Sequence, residues 1–168
     1  MGVGVCTVVV VTEHFPRLDH RAPDWFQRAL EVPMDRATTM VDGATISYLG
    51  WGERHRRGLV FVHGGGAHAH WWTHVAACFA SDFRVLSIDL SGHGDSDHRS
   101  VYSLEQWTEE VVAVADHGGI TGRPVVIGHS MGGFVTIVTA ARHGERLDGV
   151  IVCDSPVSEP DAEIASHA

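Results

Sequence analysis

A short apolar run, Val125-Val126-Ile127, ends in Gly128-His129-Ser130-Met131-Gly132-Gly133 and is followed by a helix-like stretch, Phe134 to Ala141. Strand, sharp turn and helix in that order put a serine at the tip of the turn. A serine held there can act as a nucleophile, because the turn strains its backbone and pushes the hydroxyl out at the end of the sheet. Gly128 and Gly132 lack a Cβ, so strand and helix can approach closely around it. The backbone N–H of Met131 opens the helix, where it can help to stabilise an oxyanion. The plainer reading of the same residues is an ordinary turn whose serine only caps the helix.

Two further motifs lie upstream. Leu59-Val60-Phe61-Val62 reads as a buried strand, and it runs into His63-Gly64-Gly65-Gly66. Such a loop can bring a second N–H beside the serine; otherwise it is a plain glycine turn. Val85-Leu86-Ser87-Ile88 is a strand that ends in Asp89-Leu90-Ser91-Gly92-His93-Gly94-Asp95-Ser96. Together the three segments resemble the N-terminal half of an α/β-hydrolase of the serine esterase or lipase-like type, over roughly Arg36 to Pro156. The DLSGHGDS segment resembles the family's D-x-R-G-x-G-x-S loop. Ser91 stands where an arginine is common, which removes the basis for any ion pair made by that arginine.

The resemblance implies hydrolysis of an ester, thioester or amide through an acyl-serine intermediate. Ser130 would be the nucleophile, and the N–H groups of Met131 and Gly65 would form the oxyanion hole. The substrate would be a small acyl compound, with no nucleotide or metal cofactor. His63 would be structural, its ring hydrogen-bonded to nearby backbone. A serine nucleophile argues against the related epoxide hydrolases and dehalogenases, which attack with aspartate.

A serine needs a base, and the base needs an acid to orient it. After Ser130 the chain offers only His143 and His167. His143 is 13 residues along the helix, about 20 Å away at a rise of 1.5 Å per residue. His167 lies on a polar tail, and the turn points His129 away from its neighbour. Asp154, after the strand Val150–Cys153, is the one candidate acid, and a structural aspartate is the competing reading. The expectation is therefore a fold truncated after about its sixth strand, with the catalytic histidine beyond residue 168. A non-catalytic binding domain or an inactive remnant is the alternative. A third reading uses His68, His70 and His74 as metal ligands, but no carboxylate or thiolate lies within that cluster and its spacing fits no zinc pattern.

The elements that must position these groups follow from periodicity. Asp24 caps a short helix with Trp25, Phe26, Ala29 and Leu30 on its apolar face. Thr38–Val41, Asp42-Gly43 and Ala44–Leu49 read as a β-hairpin, since Asp-Gly favours a tight primed turn. Beyond Gly58, strands apolar on both faces alternate with helices at Trp71–Phe79, Ser103–Asp116 and Met131–His143. That pattern means an α/β fold with a mostly parallel sheet flanked by helices. Trp71 and Trp72 read as core, with the wall of an apolar pocket as the alternative. Residues 1–35 form an N-terminal segment, 36–156 the incomplete hydrolase core and 157–168 a polar tail.

Composition excludes several classes. The net charge is −9, which disfavours nucleic acid as a partner. No run of 18 apolar residues occurs, so no spanning helix is expected. The Val3–Val11 run lacks a basic flank and is a poor signal peptide. Met1-Gly2-Val3-Gly4-Val5-Cys6 misses the myristoylation pattern at Cys6. Three cysteines, Cys6, Cys78 and Cys153, form no paired motif, and the last two read as small buried hydrophobes. A reducing, cytoplasmic setting follows from that reading. The strand Gly149–Cys153 reads as an interior strand; left at an edge, it offers a surface for self-association.

Overall fold

The computed structural model describes residues 22–156. The Val3–Val11 run, Cys6, His167 and the tail 157–168 lie outside the described residues. The elements in chain order are α1 (Asp24–Leu30), β1 (Met34–Val41), β2 (Ala44–Trp51), β3 (Gly58–Val62), α2 (Thr73–Ala76), β4 (Arg84–Ile88), α3 (Leu104–His117), β5 (Val125–His129), α4 (Met131–His143) and β6 (Gly149–Cys153). They form one six-stranded sheet in the order β1-β2-β4-β3-β5-β6. The last four strands in that order are parallel, and the β1–β2 hairpin joins β4 antiparallel.

The hairpin is longer than the sequence suggested, pairing Met34 with Trp51 at its open end and Val41 with Ala44 at the turn. Asp42 and Gly43 both have positive φ, 45° and 79°, as a primed turn requires. Successive strand residues face opposite sides, and this alternation divides the core in two. Val60, Val62, Leu86, Ile88 and Val126 pack with Val111 and Val114 of α3 and Val135 of α4. Leu59, Phe61, Val85 and Ile127 pack on the other face with Ala29, Ala69, Ala76 and Ala77.

Four local expectations need correction. Asp24 lies inside α1, and Pro23 holds the cap position without a side-chain hydrogen bond. Segment 69–79 is not one helix: two 3-10 turns, Ala69–Trp72 and Ala77–Phe79, flank the single turn of α2. Its start is tied to β4, since Ala69 N–H donates to Asp89 Oδ1 at 2.6 Å and Ser87 Oγ donates to Ala69 O at 2.9 Å. Cys78 is exposed and Cys153 half-buried, so neither is a core hydrophobe. Trp71 is exposed, whereas Trp72 packs on Phe61 with ring centroids 4.9 Å apart. Ser103 caps α3 as expected, its hydroxyl accepting from Gln106 N–H at 3.1 Å. Among the described residues, no helix is long and apolar enough to cross a membrane.

Candidate active site

The chain enters the parallel sheet at β3, moves outward to β4, then crosses back to lay β5 on the other side of β3. The carboxyl ends of β3 and β5 therefore meet where the strand order reverses, the place where open α/β sheets bind ligands. Val62 pairs with Gly128 in the register. The loop after Val62 must then run beside the turn after Gly128, and the glycines let it. A Cβ on Gly64 would lie 3.3 Å from Ser130 Cβ, and one on Gly65 would lie 4.0 Å from Met131 Cβ.

Ser130 itself has φ 52° and ψ −117°, a conformation that costs a serine roughly 1–3 kcal/mol. It holds the cap position of α4, yet its side chain makes no cap hydrogen bond. Among the described residues no hydrogen bond reaches its hydroxyl. The reading of Ser130 as a simple cap is therefore overturned. Two glycines permit the geometry. A Cβ on Gly128 would collide with Gly132 O and Thr136 Oγ1, and one on Gly132 with the carbonyls of Val62 and His63. Three hydrogen bonds hold the turn. Ser130 N–H donates to Cys153 O at 3.0 Å, while Ser130 O accepts from Gly133 N–H and from Ser155 Oγ, each at 2.9 Å.

His63 is fully buried behind this turn. Leu90 N–H donates to its Nε2 at 3.2 Å, so Nδ1 carries the hydrogen and donates to Gly64 O at 2.8 Å. Burial pushes its imidazole down from 6.5 to about 4, with the nearby His93 adding to the shift and the bond to Gly64 opposing it. The ring is a neutral strut that carries the glycine loop. On the β4 side, buried Asp89 accepts from Ala69 N–H and Asp95 N–H, and Ser96 Oγ donates to Asp89 O at 2.6 Å. Ser91 N–H donates to Glu110 Oε2 at 2.8 Å, and Arg99 Nε donates to Glu110 Oε1 at 2.9 Å. Arg99 thus supplies a guanidinium to this loop, which position 91 does not.

The remaining candidates scatter. Asp154 sits just past β6 with its side chain 92% exposed, and its near neighbour is His129 Nε2 at 3.7 Å. His143 hydrogen-bonds Glu109 at 3.0 Å at the far end of α4. His68 and His70 are ring neighbours at 5.8 Å, and His70 Nε2 contacts Arg36 Nη2 at 3.0 Å. His74 instead packs on Phe26 at 5.3 Å and Trp25 at 6.4 Å. Among the described residues, no group of three or more His, Cys, Asp or Glu could hold a metal ion. Sequence reasoning missed Ser155. Its only signal was its position, two residues past the end of a strand that pairs with β5.

The sheet order and the strained turn define an α/β hydrolase. The family model for the alpha/beta hydrolase fold matches residues 57–166, and the chain belongs to that family. It is 35% identical over 102 residues to pimeloyl-[acyl-carrier protein] methyl ester esterase of Edwardsiella ictaluri, covering 60% of this chain and 38% of that protein. It is 30% identical over 117 residues to epoxide hydrolase 4 of Mus musculus, covering 68% and 32% respectively. The crystal structure of the enol-lactonase from Burkholderia xenovorans LB400 superposes with a TM-score of 0.66 at 32% identity, over 70% of this chain and 46% of that one. The chain thus spans less than half the length of each.

Proposed function

We propose that the protein is a serine hydrolase acting on an ester, thioester or amide of a small acyl substrate. The observation that carries this reading is Ser130, strained, uncapped and set beside Gly64-Gly65. Ser130 Oγ attacks the carbonyl carbon and yields its proton to a base. The N–H groups of Met131 and Gly65 receive the negative oxygen. Collapse of the tetrahedral intermediate expels the alcohol, thiol or amine with that proton, and water then cleaves the acyl-serine. The relatives named for ester and lactone cleavage support this chemistry. A serine at position 130 also favours acyl transfer over epoxide opening, which a carboxylate nucleophile performs.

No described histidine bonds Ser130, so the base comes from outside the described residues. Asp154 is the acid candidate among them, although its side chain faces solvent. The exposed apolar edge of β6 supports self-association of the chain taken alone. A non-catalytic binding domain is the alternative reading, since no histidine among the described residues bonds Ser130. The two readings separate by experiment. A p-nitrophenyl phosphonate should form a covalent adduct on Ser130, found by peptide mass spectrometry and lost in Ser130→Ala. Free imidazole, acting as a surrogate base, should accelerate the labelling. No adduct, or one that survives Ser130→Ala, favours the binding domain.

A further inference from the structure

We infer that Ser155 is a positioning residue for the oxyanion donor, a role that rests on the reading of Ser130 as nucleophile. The carbonyl of Ser130 and the N–H of Met131 belong to one planar peptide unit, so whatever fixes the carbonyl aims the N–H. Ser155 Oγ donates to that carbonyl at 2.9 Å, and Gly133 N–H donates to it at 2.9 Å. A hydrogen bond at the oxygen end of a peptide also polarises the N–H at its other end and makes it a better donor.

The chain after β6 is shaped to deliver this hydroxyl. Asp154 turns with φ 49°, and Pro156 favours an extended backbone at the residue before it. Ser155 is then brought against the start of α4, where a Cβ on Gly133 would overlap Ser155 Oγ. The alternative acceptor, Cys153 O, lies farther away at 3.3 Å. Cys153 O meanwhile takes the N–H of Ser130 at 3.0 Å. Residues 153–155 thus grip Ser130 at both of its backbone polar groups.

The test uses phosphonate labelling in imidazole buffer with wild type, Ser155→Ala and Ser155→Thr. Ser155→Ala should lower the maximal labelling rate about tenfold and leave the half-saturating concentration unchanged. Ser155→Thr, which keeps the hydroxyl, should restore the rate. In parallel, the ¹³C resonance of the Ser130 carbonyl should move in Ser155→Ala and return in Ser155→Thr, while the amides of Val60 and Phe61 stay fixed as a control for folding. An unchanged rate with an unmoved carbonyl resonance overturns the proposal. If wild type gives no adduct, the nucleophile reading fails instead, and the carbonyl resonance decides alone whether Ser155 holds this peptide.

Discussion

Ser130 keeps a backbone conformation that its own side chain disfavours, and the neighbours that hold it there are small or neutral for physical reasons. Gly128 and Gly132 give up their side chains to a close approach of β5, α4 and the end of β3. Gly128→Ala should therefore cost about 1–3 kcal/mol in urea unfolding, as overpacking does, and should slow Ser130 labelling further than that loss explains. His63 was foreseen as a backbone-bonded ring, and the structure adds its tautomer. Its folded value of about 4 lies below the 6.5 of the free side chain, so between those values the unfolded chain binds more protons. Stability is then complete above pH 6.5 and falls as the pH drops towards 4, by about 3 kcal/mol from this group. The slope of unfolding free energy against pH over that window should flatten in His63→Gln. An unchanged slope would mean that the ring is not the linked group.

The elements were legible in the sequence wherever one physical signal dominated. Strands β3, β4, β5 and β6 were marked by short apolar runs, the hairpin by Asp-Gly, and α3 by the serine that caps it. The helix expected over Trp71–Phe79 was not, because its apolar residues look helical, whereas the chain forms two 3-10 turns around a single α turn, with Ala69 at its start tied to Ser87 and Asp89, distant in sequence. Glu110 was invisible for a similar reason. A glutamate in an amphipathic helix reads as solvent-facing, yet it is fully buried against Arg99 and Ser91 N–H. Within the candidate site, Ser130, Met131 and Gly65 could be named from local motifs. Ser155 depends on strand register, which one sequence does not display. The Arg99–Glu110 pair gives a test at this level. Arg99→Met strands a buried carboxylate and should cost about 3–5 kcal/mol in urea unfolding. Adding Glu110→Gln should recover part of that loss, and full additivity of the two changes would refute the pairing.

Taken as one body, the molecule is asymmetric across its sheet. Among the described residues, one side ends in the β1–β2 hairpin and the other in β6, where Val150, Ile151 and Val152 are exposed, Ile151 by 50%. Two copies joined antiparallel about Ile151 would bring Asp148 of one, already paired with Arg57 and Arg123, opposite Asp154 of the other, so the apolar strand faces decide the contact. Self-association should therefore vanish in Ile151→Lys, read by size-exclusion chromatography. Association that survives Ile151→Lys would point to another surface. The strand order also sets a timetable for synthesis. Residues 34–88 complete β1-β2-β4-β3 as four contiguous strands of the six, with the wholly apolar β3 as their bare border. That border waits for β5, whose last residue is His129. At a ribosomal pace of 5–20 residues per second the delay is roughly 2–8 s. The Ser130 turn comes into being only when that gap closes, so the nascent chain spends those seconds with the candidate site unmade and a wholly apolar strand open to other chains.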